Sequence, residues 1–325
     1  MQKQKCSLGL YRDFLLASQS RFSATALARV APRASMHHDA VTNWLDGSTF
    51  SPAEIWNQAQ PFVQRQSGYL VSDDAVLDQR YSRENGLVKL QYSGNVHGLV
   101  KGIGLVNLLW TDNEKFVPVD YRLYQPDVDG QDKNDHFQEM LKRAKQRRFS
   151  PWYVLVDCWY GAVKNLKLIR SQRWHFICNL KSNRKVSVVK GEYVSIQDLH
   201  LANRQVRQVW LKEFGFVLVC KTVAKNGDER YLATNDVSLT SYEEFTGHAD
   251  SRWKIEEFHR GLKQTTGIEK CSATSHQSQK THIFAAFMAF FKLERARIKA
   301  GVSWYEQKLS ISRISITNYL NYANP

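Results

Sequence analysis

The chain has 325 residues, 43% of them apolar and 23% charged, the proportions of an ordinary globular protein. They exclude a wholly disordered chain, a collagen-like chain and a coiled-coil rod, and the length allows about two domains. With 45 Lys and Arg against 31 Asp and Glu, the formal net charge is +14, which favours a polyanionic partner and makes nucleic acid the first candidate. The five cysteines (Cys6, Cys158, Cys178, Cys220 and Cys271) include no Cys-x-x-Cys pair. Neither a disulfide framework nor a zinc site fits them, and a reducing, cytoplasmic compartment is expected. The longest apolar run, 283–291, has nine residues, whereas a membrane span needs about 18 or more. The basic N-terminus lacks the sustained apolar stretch of a signal peptide.

Residues 1–66 read as helical. Apolar residues recur at helical spacing over 8–16 and 24–30. Ser35 or Met36 opens a short helix ended by Gly47, and Ser51-Pro52 opens another. Short helices of this kind, one bearing His37, His38, Thr42 and Asn43, suit a helix-turn-helix-like DNA-binding module. An ordinary helical bundle gives the same pattern. From Ser67 the period changes. GYLVSDD predicts a strand that stops at two aspartates, and LVKLQYSG, VKGIGLVNLLW and FVPVDYRLYQP continue as an antiparallel meander. Residues 135–148 predict a helix with a basic end. WYVLVD is an apolar run typical of a strand covered on both faces, ending at Asp157. A helix follows over 161–171, β-rich sequence over 174–223, and one more strand at RYLATND. Helices are predicted over 251–265 and about 281–299, and the tail 301–325 is weakly patterned.

The predicted helix SRWKIEEFHRGLK follows two strands that end in aspartate. With Arg252 at zero, Glu256 lies at about 40°, His259 at about −20° and Lys263 at about 20° on its wheel. Ile255, Phe258 and Leu262 fall together at about 240–300°, an apolar face able to dock on a sheet. Three converging carboxylates cannot all ionise cheaply without a cation. Oxygen ligands select Mg²⁺ or Mn²⁺, and two such ions can serve phosphoryl transfer. Arg and Lys on the same face suit the phosphates of a nucleic acid. An ion-paired surface helix with Arg252 and Glu256 at i,i+4 gives the same spacing.

RWKIEEFHRGLK resembles the signature helix of bacterial insertion-sequence DDE transposases, which reads Tyr, two residues, Arg, three residues, Glu, six residues, Lys. Arg252, Glu256 and Lys263 match that spacing, while Ala249 stands at the tyrosine position. LVSDDAVLD resembles the family's first catalytic-aspartate strand, VLVDCWYG its second, and WHFICNLKSNRK the start of its β-rich insertion. The resemblance covers roughly residues 35–300. It implies an α/β fold: a ribonuclease-H-like mixed sheet flanked by helices, with a β-rich insertion and an N-terminal helical domain. The implied divisions are an N-terminal DNA-binding domain (1–66), a core in two parts (67–172 and 228–300), the insertion (173–227) and a tail (301–325).

The same resemblance implies a cut-and-paste DNA transposase. Asp73, Asp157 and Glu256 would be its catalytic and metal-holding residues, with two Mg²⁺ or Mn²⁺ ions. Asp74 competes with Asp73. The family pattern of Asp, any residue, then a hydroxyl residue selects Asp73, although the third position here is Ala75. Arg252, Lys263 and His259 would serve DNA binding, with His259 also suited to supporting the carboxylates. Trp159 or Trp210 could stack on an unpaired base. The implied partners are the double-stranded terminal inverted repeats and target DNA, bound by a dimer in the bacterial cytoplasm, in association with the nucleoid. Ala75 and Ala249 motivate a rival, a catalytically silent DNA-binding descendant. A nuclease of the same core that cuts without joining is another.

Overall fold

The computed structural model describes residues 5–32, 36–82, 86–93 and 98–323. Ser35, one of the two alternative helix starts, lies outside them. Four short helices open the chain: α1 (Leu8–Ala17), α2 (Ala24–Val30), α3 (His38–Gly47) and α4 (Pro52–Ala59). Ser7 and Ser23 cap the first two through their hydroxyls, and Ser51 with Glu54 forms a capping box on α4. Each cap satisfies backbone N–H groups that a helix start leaves unpaired.

The strands are β1 (Tyr69–Asp78), β2 (Lys89–Ser93), β3 (Gly98–Thr111) and β4 (Val117–Leu123), as the meander predicted. Two helices follow, α5 (Pro126–Asp129) and α6 (Lys133–Gln146), then β5 (Tyr153–Val156), α7 (Val163–Ser171) and β6 (Phe176–Leu180). β1 does not stop at the aspartates. It runs on to Asp78, because every residue from Tyr69 to Asp78 pairs with β3. β3 also pairs antiparallel with β2 and β4, while β1, β5 and β6 are parallel. Such mixed pairing, with three antiparallel strands leading into parallel ones, is the core of a ribonuclease-H-like sheet.

An antiparallel extension continues from β6. It comprises β7 (Lys185–Ser187), β8 (Val194–Ser195), β9 (Val206–Leu211), β10 (Gly215–Val223) and β11 (Glu229–Thr234), with β11 paired to β6. The sheet order is β2-β3-β1-β5-β6-β11-β10-β9-β7-β8, with β4 beside β3. The extension starts after Leu180, so β6 belongs to the parallel part of the sheet. The chain closes with α8 (Tyr242–Asp250), a 3-10 turn, α9 (Lys254–Thr266), α10 (His276–Ala300) and α11 (Trp304–Ala323). The weakly patterned tail is therefore a 20-residue helix. No described helix is long and apolar enough to cross a membrane.

Strand alternation divides the core into two layers. Tyr69 and Val71 of β1 and Leu105 and Leu109 of β3 join α1, α9 and α10 in one cluster. Leu70 of β1 and Val106, Leu108 and Trp110 of β3 join α6 and α7 in the other. Most of α10 is buried all round, with α1 and α3 packed along it. This alternation fixes which polar residues can meet. Asp73 and Asn107, directly opposite one another on β1 and β3, take the face covered by α9. Asp74 takes the face covered by α6.

Candidate active site

Asp73 sits mid-strand beneath α9, with its side chain 20% exposed and 3.7 Å from the Arg252 guanidinium. Burial, then the nearby Asp157 and Asp74 charges, raise its pKa to about 7. Asp74 makes an ion pair with Lys133 of α6 and accepts from the Tyr160 hydroxyl at 3.4 Å. Adjacent strand residues face opposite ways, so the two aspartates have separate partners.

Asp157 follows the last residue of β5. Its Oδ1 accepts from the backbone N–H groups of Trp159 and Tyr160, both at 3.0 Å. Burial pushes its pKa up, opposed in part by the Tyr160 N–H, while Asp74 raises it further. These bonds turn the chain sharply at the C-terminal end of a parallel strand, the edge at which such sheets carry their sites.

Glu256 lies in the first turn of α9 and accepts from Arg252 at 2.9 Å. The Arg252 guanidinium thus bridges Glu256 and Asp73. Two further residues of α9 share this region. Lys263 donates to the Val76 carbonyl at 2.7 Å and lies 2.9 Å from Glu269, clipping the helix to β1. Glu269 in turn accepts from the Asp78 N–H at 2.9 Å. His259 Nε2 lies 2.9 Å from Asn107 Nδ2. Burial, with the Lys263 charge, lowers the His259 pKa to about 3 and keeps it neutral. His259 therefore turns inward to β3 and brings no charge to the surface. Ile255, Phe258 and Leu262 are buried, as the apolar face predicted.

Trp159 is 55% exposed, and Lys181 lies over its ring at 5.5 Å. Both line an open cleft of about 440 Å³ beside Asp157, with Arg184, Lys185 and Lys212. Trp210 is exposed elsewhere, on β9 of the sheet extension, edge-on to Phe216 at 4.9 Å. Trp253 is exposed and lines a second cleft with Arg252, Tyr242 and Ala249. The residues that sequence reasoning missed are Asn107 and Glu269. Asn107 had a signal, a lone amide inside the apolar run VKGIGLVNLLW. Glu269 had none, since its role is set by contacts with β1.

The donor set fits divalent cations. Asp73, Asp157 and Glu256 offer hard carboxylate oxygens. The carboxylate charges already draw a cation, the Arg252 guanidinium, between two of them. Asn107 Oδ1 is buried without a hydrogen-bond partner among the described residues. The three carboxylates are not closed into one tight group. Among the described residues, the group with all its ligand atoms within 4.8 Å is instead His37, His38 and Asp39 at the exposed start of α3.

Two family models match the chain: a transposase DDE domain over residues 108–291 and a DDE superfamily endonuclease over residues 2–194. The first includes Asp157 and Glu256, the second Asp73 and Asp157. Among solved structures, the piggyBac transposase synaptic complex with hairpin DNA aligns with a TM-score of 0.50 at 11% identity. That alignment covers 94% of this chain and 74% of that one, and it shows a shared fold. The Drosophila P element transposase strand transfer complex aligns at TM-score 0.31 and 10% identity, covering 90% and 65%. The Mos1 strand transfer complex aligns at 0.21 and 11%, covering 96% and 80%. No curated protein matches the chain. Each family model spans more than half of the residues, and the chain belongs to the DDE transposase family of DNA-cleaving enzymes.

Proposed function

We propose that this transposase cuts DNA at the ends of its element and joins the freed ends to new DNA, with Asp73, Asp157 and Glu256 as the carboxylates that hold two Mg²⁺ or Mn²⁺ ions. The observation that carries this reading is the convergence of Asp73, Asp157, Arg252 and Glu256 at the C-terminal end of β5 beneath α9. Asp73 is preferred to Asp74 because it shares Arg252 with Glu256, whereas Asp74 is engaged by Lys133 and Tyr160. Bound cations there would stabilise the attacking and leaving oxygens as Lewis acids.

In the first step water attacks the phosphodiester at the element end, the P–O3′ bond breaks, and a 3′-hydroxyl leaves. In the second, that hydroxyl attacks another phosphate and loses its proton to solvent as a second P–O3′ bond breaks. Arg252 binds the phosphate beside the carboxylates. Lys263 adds positive charge from a fixed position, and His259 supports the site through Asn107. Trp159 and the lysines around its cleft hold DNA next to Asp157, where an exposed ring can stack on an unpaired base. Residues 1–66 recognise the double-stranded terminal repeats, two protomers pair the two ends, and the reaction takes place on cytoplasmic DNA.

Asp157→Ala and Glu256→Gln should each lower cleavage by about 10³-fold or more, while binding of the end fragments in Ca²⁺ persists. The assay is linear DNA carrying the gene and its flanks, with breaks mapped in Mg²⁺. Breaks that survive in the variants would displace the site. Joined products distinguish a transposase from a nuclease of the same core.

A further inference from the structure

Asn107, through which His259 supports the site, has unusual surroundings. It is 1% exposed in the middle of β3, flanked by the buried apolar residues Val106 and Leu108. An amide there costs free energy unless both of its ends are satisfied. One end is: Nδ2 lies 2.9 Å from His259 Nε2. The other is not, since Oδ1 has no partner among the described residues. Directly across the strand pair stands Asp73. Opposite residues of an antiparallel pair have Cβ atoms about 4.5–5.5 Å apart on the same face. The orphaned oxygen is therefore a near neighbour of the central carboxylate, under the helix that carries Glu256.

The link to His259 sets which end of the amide is free. A neutral imidazole has one acceptor nitrogen and one N–H. With Nε2 accepting from Nδ2, Oδ1 is left pointing away from the histidine. A hard, neutral, desolvated oxygen beside anionic carboxylates is a ligand type suited to Mg²⁺ or Mn²⁺, directly or through a bound water. The amide adds an oxygen without adding a fourth negative charge to a group whose members already repel one another.

We infer that Asn107 completes the cation site at Asp73: its Oδ1 faces the cation, and His259 is the positioning residue that holds the amide in that orientation. The inference rests on the proposed carboxylate site. It assigns a role to a strand residue outside the Asp-Asp-Glu set and to a histidine that binds no phosphate.

The test measures Mn²⁺ binding to the full chain without DNA, following free Mn²⁺ by electron paramagnetic resonance. Asn107→Leu should weaken Mn²⁺ binding by about tenfold or more. His259→Phe, which frees the amide to turn, should weaken it by a smaller factor. Asn107→Asp keeps the shape and presents an anionic oxygen, so it should bind Mn²⁺ at least as tightly as the wild type. That variant carries the test if Asn107→Leu does not fold. Asp157→Ala is the reference for loss of the site. Wild-type Mn²⁺ affinity in Asn107→Leu, alongside a loss in Asp157→Ala, overturns the inference and leaves the carboxylate site standing. Weaker binding by Asn107→Asp also overturns it, because the amide would then be donating to Asp73. Unchanged affinity in Asp157→Ala overturns the carboxylate site, and the inference with it. A purely structural asparagine would shift the melting temperature without changing Mn²⁺ affinity in a variant that folds.

Discussion

Asp73 is where burial and charge conflict most. Without a cation its pKa is raised to about 7, first by burial and then by Asp157 and Asp74, against an ordinary value near 3.9. Between about pH 4 and 7 the folded protein therefore binds more protons at this site than the unfolded chain does, and the contribution of this site to stability falls as pH rises through that window, opposite in sign to that of the neutral His259. Relative to the metal-free wild type, Asp73→Asn should gain melting temperature as pH rises from about 4 to 7, the difference reaching about 3 °C at pH 8. Thermal denaturation of the two proteins side by side in chelator, followed by circular dichroism, checks it. A cation must displace the same proton, so Mn²⁺ affinity should rise with pH over the same range. Asp73, Asp157 and Glu256 were legible as candidates from two strands with aspartates, the spacing around Glu256 and the resemblance of all three motifs to those of DDE transposases. The i,i+4 pair of Arg252 with Glu256 was legible as well, but the approach of the same guanidinium to Asp73 was not, because Arg252 and Asp73 lie on different elements.

At the scale of elements, the placement of α9 depends on two contacts far from the carboxylates. Gly261 lets α9 approach α10 and α11 closely. A Cβ there would come within 2.7 Å of two Trp304 ring atoms and 3.0 Å of Phe290. Gly261→Ala should therefore cost about 2 kcal/mol through overpacking, although alanine favours an isolated helix. Urea unfolding would read the loss, and a stabilised variant would show that the rings move aside freely. The second contact is Glu294, fully buried on α10. It accepts from the Phe116 N–H at 2.8 Å, from Trp304 Nε1 at 2.7 Å and from Arg297 at 2.7 and 2.8 Å. Glu294→Ala takes the acceptor from the Phe116 N–H and from Trp304 Nε1–H and removes the ion pair with the part-exposed Arg297, and should cost about 2–4 kcal/mol. The same contacts explain why α11 was missed. Its one buried residue, Trp304, anchors the start. Farther along, Lys308 donates to carbonyls at the C-terminal ends of α1 and α9. Neither contact leaves a periodic trace in the sequence.

For the whole molecule, the +14 charge becomes a statement about salt. Residues 252–313, from α9 into α11, carry 12 basic and 5 acidic residues, half of the chain's positive excess. Lys181, Arg184, Lys185 and Lys212 add to it along the Trp159 cleft. Binding of end DNA should lose affinity linearly in log Kd against log salt, with a slope of about 0.9 per phosphate contacted. Fluorescence anisotropy between low and high salt measures it. Replacing Lys181 and Lys212 together by Ala should lower the slope by about 2 if both contact phosphates. An unchanged slope would place the DNA path elsewhere.

The sequence by itself determined the strand and helix periods of the core, the apolar face of α9 and the spacing of Arg252, Glu256 and Lys263. All of these are local properties, set by residues a few positions apart. It also led to the DDE transposase family through three short motifs. Tertiary structure alone decided that β1 runs past its aspartates to Asp78, because pairing with β3 continues to that point. It decided that Asp73 and Asp74 have different partners, since the face each one takes depends on which helices cover the sheet. It decided that Lys263 is clipped to β1 and that His259 turns to Asn107, a residue 152 positions away. Contacts at that separation depend on how the elements pack, and no spacing along the chain encodes them.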